Sequence, residues 1–371
     1  MTVSLLFELI AAGHLVLACV CAHRLHDSGN RLLIIPLLLC LTLLYDNAVI
    51  GAGRFLGAGG VLEALSVPRF AIHAVLTPLL IPWAHAVAIR AGVSWAGSRP
   101  ARLTTAALTA LAIGTAVGND VVRLSLRPEW WAGTLRYGNA AASGTEALPV
   151  LIAGTFVLVT GVAIWLRRGY RPLLATAAVM TVAASLAGAA PLLGNLGELI
   201  LCAGLAATAH RLRHAPNTAA VPAAQRARVT RRLGWIAFPL LLLTVAVPAL
   251  PTIGGFDSGT VAQAVYQILL VMHAQLGITT YGLPPKGNRL RRFHTAFGYA
   301  NLPLLLAAQL LALFAATAAA ADLLAGLLLL TITVHVGLGL VFALRRGRVR
   351  TGIRPGPPAT VRGTTAAPSS R

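Results

Sequence analysis

The run YDNAVIGAGRFLGAGGVLEALSVPRFAIHAVLTP (45–78) decides how the chain is read. It ends one apolar stretch, turns through a glycine-rich segment, and starts a second apolar stretch after Pro68. That hairpin puts Asp46, Arg54, Arg69 and His73 at the same end of two consecutive apolar segments. On a helix Arg69 and His73 are four residues apart and share a face. Ionisable groups are costly inside a bilayer, so they turn inward, pair, and mark functional paths.

The rest of the chain shows that a bilayer is the right solvent. Its 371 residues are 57% hydrophobic and only 11% charged, with a mean hydropathy of +0.77. A soluble domain carries about 25% charged residues. A span needs about 20 apolar residues. Eleven stretches qualify, near 4–22, 32–51, 70–89, 103–121, 148–166, 172–192, 194–210, 234–252, 260–282, 293–318 and 322–344. The expected fold is therefore an all-α polytopic membrane protein of about eleven transmembrane helices in two bundles, seven plus four.

Charge orients these spans. Of the 30 basic residues, only Arg54, Arg69, Arg123, Arg127 and Arg136 fall on the N-terminal side of the membrane, whereas of the 10 acidic ones only Asp27 falls opposite. Cytoplasmic loops carry the excess of Lys and Arg. The expected location is the plasma membrane, with the N-terminus outside and the C-terminus cytoplasmic. The net charge of +20 then reflects loop arginines that hold spans in place rather than a nucleic-acid surface. Residues 1–210 form the first bundle, 211–233 a cytoplasmic basic linker, 234–345 the second bundle, and 346–371 a disordered basic tail. Cys19, Cys21, Cys40 and Cys202 all lie in apolar spans and suggest neither a disulfide framework nor a zinc site. His14 and His85 are single histidines on apolar spans, expected to be hydrogen-bonded structural residues.

At the outer end of the first bundle Glu8, Asp46, Asn47, Arg69, His73, Asn119, Asp120, Asn195 and Glu198 fall at a similar depth. The loop 122–147 adds Glu129, Trp130, Trp131, Arg136 and Tyr137. An outer pocket follows, with Asp46, Asp120, Glu198 and His73 as acid/base candidates and Asn47, Arg54, Arg69 and Arg136 as candidate groups for an anionic or polar headgroup. Its ligand would be a lipid, an isoprenoid or a quinone. The plain alternative is an ion pair from Asp46 to Arg69 or Arg54 that locks two spans. Trp130–Trp131 reads as an interfacial anchor or as a lid.

In the second bundle MHAQLG (272–277) and TVHVGLG (333–339) place His273 and His335 thirteen residues after the outer starts of their spans. The two imidazoles therefore share one depth. With RRFHTAFGY (291–299) these segments resemble bis-histidine b-type membrane cytochromes, over the last four spans. The resemblance implies one haem b with its iron between His273 and His335; a second haem would need four histidines, and His294 is left without a role. Without haem, His273 and His335 bond each other or a backbone carbonyl.

Three functions follow from these readings. One is a redox protein with a haem b and an outer quinone or lipid site. A second is a haem-free membrane enzyme using carboxyl acid/base chemistry on an isoprenoid or lipid, similar in outline to seven-span terpene cyclases. The third is a transporter, although no internal repeat or matched pair of broken helices marks one. Phosphate-loop, HExxH and GxSxG motifs do not occur in the chain.

Overall fold

The computed structural model describes residues 2–141, 147–213, 221–246, 258–281, 289–312 and 318–351. It is helical apart from one hairpin. The helices are α1 (Thr2–Ser28), α2 (Ile34–Leu56), α3 (Gly60–Leu76), α4 (Leu80–Arg90), α5 (Arg99–Val117), α6 (Ala147–Arg168), α7 (Pro172–Leu186) and α8 (Pro191–Arg213). They continue with α9 (Ala223–Ala246), α10 (Ser258–Tyr281), α11 (Arg289–Ala312) and α12 (Ala318–Thr351). Among the described residues six helical segments are long and apolar enough to cross a membrane: Val3–Ser28, Arg31–Leu56, Gly60–Arg90, Arg99–Val122, Leu148–Arg168 and Pro191–Arg213. Shorter apolar helices run over Pro172–Leu186, Ala264–Gly277 and Gly326–Gly339. The chain is an all-helical membrane protein.

The glycine-rich turn is tighter than the sequence suggests. α2 stops at Gly57, whose φ of +73° only glycine adopts freely and whose N–H donates to the Gly53 carbonyl at 3.0 Å. α3 then begins at Gly60, ten residues before the expected span at 70–89, and carries Pro68 in its interior. That span is also broken. Pro78 has no N–H to give the helix ladder, and the chain passes through tighter i→i−3 bonds, Leu79 N–H to Leu76 O and Leu80 N–H to Thr77 O, before α4. Two other expectations shift. Half of the proposed linker, AAQRARVTRRL (223–233), is the first part of α9, because Ala, Arg and Gln are strong helix formers. The tail expected to be disordered from 346 stays helical to Thr351, and 352–371 lie outside the described residues, as do 214–220 of the linker.

The loop after α5 contains the one sheet among the described residues. A five-residue π turn, Gly118–Val122, leads into β1 (Leu126–Trp131) and β2 (Thr134–Asn139), paired antiparallel. Ala132 (φ +50°) and Gly133 (φ +77°) make the two-residue turn, both positive as a type I′ connection requires. The hairpin lies across the ends of α2 and α3, where Leu135 and Tyr137 are buried with Val49 and Leu62. The Tyr137 hydroxyl accepts from Gly59 N–H at 3.1 Å.

The main core is built from α1, α2, α4, α6, α7 and α8, and it includes Ile268, Val271 and Leu276 of α10. Two amides fix α10 there: Gln267 donates to the Thr155 hydroxyl at 2.8 Å, and Gln275 to the Val159 carbonyl at 3.0 Å. A smaller cluster of Ala237, Tyr266, Leu270, Leu305, Leu328 and Ile332 joins α9 to α12.

The hairpin sits so close to α2 that a methyl group at Gly53 would overlap the Leu135 carbonyl. Gly53→Ala should therefore lower the melting temperature in detergent, by an overpacking cost of about 1–3 kcal/mol. Gly114→Ala, which meets nothing within 4 Å on α5, should be neutral or slightly stabilising. A thermal melt of the two variants side by side checks this.

Candidate functional site

At the hairpin end of the bundle, the Arg69 Nε of α3 donates to Asp46 Oδ1 of α2 at 2.6 Å, with both side chains nearly buried. Asp46, expected as an acid/base group, is thus engaged in an ion pair that ties α2 to α3. Asn47 is fully buried beside it; its amide donates to the Leu43 carbonyl at 2.8 Å, while its Oδ1 and the Arg69 Nη1 have no hydrogen-bond partner. The guanidinium also lies over the Phe70 ring, 5.7 Å from its centre.

One turn further along α3, His73 Nε2 is 3.5 Å from Glu198 Oε1 of α8. Both line a small cavity of about 80 Å³ between α2, α3, α6, α7 and α8. Its other walls are mostly apolar, among them Leu43, Leu76, Met180 and Leu201, with Thr42, Thr77 and Cys202 beside the imidazole–carboxyl pair. A base and an acid in contact, with water largely excluded, can exchange a proton with a bound group.

The remaining outer candidates belong to the hairpin. Glu129 and Arg136 are directly opposite in the ladder, 3.4 Å apart, and Arg127 lies 3.4 Å from the same carboxylate. Arg54 is exposed at the end of α2, beside Gly133 of the hairpin turn. Asp120 sits in the π turn, where the neighbouring Asn119 carbonyl accepts from Asn139 at 3.0 Å. None of these five charged groups lines the cavity. The Trp131 indole donates to the Ala189 carbonyl at 3.1 Å, which anchors the hairpin to the α7–α8 connection, while Trp130 is exposed. Four hydrogen-bonded or packed ends thus meet under one two-stranded cap.

The second site lies between the helical pairs α9–α10 and α11–α12. His273 Nε2 and His335 Nε2 face each other at 3.4 Å. His273 Nδ1 donates to the Thr230 carbonyl at 2.9 Å, and His335 Nδ1 to the His294 carbonyl at 2.6 Å. A carbonyl can only accept, so both Nδ1 atoms carry protons, and in the neutral rings both Nε2 lone pairs point at one another. His294 stacks on His335 with ring centres 4.0 Å apart. Gly234 of α9 and Gly298 of α11 lie against the His273 and His335 rings and Gly339 of α12 against the His294 ring, while Gly277 meets Tyr299 and Gly337 meets nothing within 4 Å.

Sequence reading missed two features. His85 does bond a carbonyl, Ala96 O at 2.8 Å, but His14 is fully buried with neither ring nitrogen partnered, next to Cys40 and Cys202. At the other end of the bundle a wider cavity of about 700 Å³ is lined by Arg31, Arg90 and Arg213 with Asn30 and Trp83. Only spatial convergence of distant helices shows either one. No protein-family model matches the chain, and no curated protein or solved structure matches it.

Glu198→Leu alone leaves His73 facing an apolar wall, and should lower the melting temperature. The double variant His73→Phe/Glu198→Leu should recover much of the loss, because replacing both partners of a buried polar pair by apolar groups is often neutral or stabilising. Differential scanning fluorimetry of the three proteins measures it.

Proposed function

We propose that the protein is an electron-transfer protein of the plasma membrane, with one haem b held by His273 and His335 and a quinone or lipid headgroup site at the His73–Glu198 cavity. The observation that carries this reading is the pair of Nε2 lone pairs facing each other at 3.4 Å, each ring oriented by an Nδ1–H bond to a carbonyl. Metal-bound histidines have this kind of outer partner. Two unprotonated nitrogens aimed at each other repel unless a proton or a cation lies between them. His273 and His335 would hold the haem iron through these two nitrogens, and the α9–α10 and α11–α12 pairs would part to admit the group. Haem, when bound, supplies a one-electron couple tuned by its axial ligands and burial. The protein's part is to fix the two rings through Thr230 and His294 and to exclude water with Ala237, Tyr266, Leu270 and Ile332.

Eleven crossings follow if α3 and α4 count as one broken span, and the acid-rich hairpin end then faces outward by the charge of the loops. The seven-plus-four division is kept, with α10 bridging the two groups. Within the first group Asp46 and Arg69 hold helices, and proton handling falls to His73 and Glu198.

A second reading is favoured by the cavity itself: an imidazole–carboxyl pair in an apolar pocket suits acid/base chemistry on an isoprenoid or lipid without haem. A dithionite-reduced minus oxidised spectrum separates the two. The haem reading predicts a b-type α band at about one haem per chain, lost in His273→Ala and in His335→Ala and largely kept in His294→Ala. Full haem in both single variants, or no band in wild-type protein made with ample haem, overturns it. In the latter case Glu198→Gln, tested for loss of a bound isoprenoid or lipid by mass spectrometry, examines the second reading.

A further inference from the structure

A buried cluster of sulfur and nitrogen donors lies where α1, α2 and α8 meet. His14 Nδ1 or Nε2, Cys40 Sγ and Cys202 Sγ lie within 4.8 Å of one another. His14 and Cys40 are fully buried and Cys202 is 2% exposed. Cys21 of α1 is also fully buried.

The histidine is the anomaly. An imidazole has one donor and one acceptor nitrogen, and burying both without partners is strongly unfavourable. Neither His14 nitrogen has a hydrogen-bond partner, whereas His85, His273 and His335 each bond a carbonyl and His73 pairs with Glu198. A Lewis acid in place of the missing partner resolves the conflict, because the lone pair that no donor reaches is the one a metal ion takes.

We propose that His14, Cys40 and Cys202 bind a zinc ion inside the membrane. Thiolate and imidazole together select soft or borderline ions such as Zn²⁺ and Cu⁺ rather than Mg²⁺ or Ca²⁺. Charge favours zinc: one Zn²⁺, two thiolates and a neutral imidazole sum to zero, whereas Cu⁺ in the same set leaves a net negative charge in a site without access to water. Binding releases the two thiol protons of Cys40 and Cys202, and no redox change takes place. Three protein ligands leave a fourth position on a tetrahedral ion. Cys202 lies one turn below Glu198 on α8 and lines the same cavity, which places the ion at the floor of the space that His73 and Glu198 close. This inference stands on the cluster alone and is independent of the haem reading.

The test is elemental analysis of wild-type protein purified in detergent without chelator, followed by cobalt replacement. About one zinc per chain is expected, with cobalt–thiolate charge-transfer absorption after exchange. His14→Ala, Cys40→Ser and Cys202→Ser should each lose the zinc, while Cys19→Ser, at an exposed thiol, keeps it. Because a core variant can fail to fold, the wild-type protein is also melted with and without a zinc chelator, and removal of the ion should lower the melting temperature. Wild-type protein that holds no zinc and shows no cobalt–thiolate band after loading overturns the proposal. Stoichiometric copper in place of zinc overturns the zinc assignment, and retention of zinc in all three ligand variants overturns the site.

Discussion

Asp46 and Arg69 meet at 2.6 Å between two helices that would otherwise each carry an uncompensated charge into hydrocarbon. The desolvation cost of each is large, and it is offset only when the partner is present with good geometry. That requirement fixes the angle and depth at which α3 lies against α2. With α3 so placed, His73 reaches Glu198 on α8 and the hairpin strand β2 settles on Gly53. The cavity and its cap are consequences of this one contact.

The same rule governs the rest of the polar interior. Trp83 donates to the Leu32 carbonyl, Asn30 to the Ala209 carbonyl, and Gln267 to Thr155, each linking separate helices. Threonines along the helices return their hydroxyls to carbonyls one turn back, as Thr42 and Thr208 do. Several buried polar atoms lack a partner, Asn47 Oδ1 and Arg69 Nη1 among them; the His14 ring, with neither nitrogen bonded, and the facing Nε2 atoms of His273 and His335 stand out. Both are nitrogen lone pairs without a donor, and both proposals for bound ions rest on them.

The helical, membrane-spanning character was legible in the sequence, since apolar length reports spans directly, and six described helical segments are long and apolar enough to cross. The shared depth of His273 and His335 follows from a constant rise per residue, and the closeness of Arg69 to Asp46 from the turn between their helices. What could not be read was convergence in space. His14, Cys40 and Cys202 lie on three helices without a local spacing motif, so the expectation that the cysteines suggest no zinc site rested on local pattern alone. The β-hairpin reads as a loop in the sequence because the Trp130–Trp131 pair looks like an interfacial anchor, whereas Trp131 is half-buried and bonded to the Ala189 carbonyl. The break at Pro78 was absorbed into one long apolar run. Arg54 and Arg136 looked like pocket residues by depth, but depth says nothing of the side of a helix or strand on which a group lies.

The claim on which this account depends is that the Asp46–Arg69 pair, rather than either charge alone, holds the outer bundle together. A charge exchange tests it directly: Asp46→Arg, Arg69→Asp, and the two combined, each assayed for monodisperse protein in detergent and for melting temperature. Each single exchange leaves like charges opposed in a buried site and should abolish stable protein. The combined variant should restore folded protein and much of the melting temperature. Single exchanges that fold as well as wild type, or a combined variant no better than either, would contradict it.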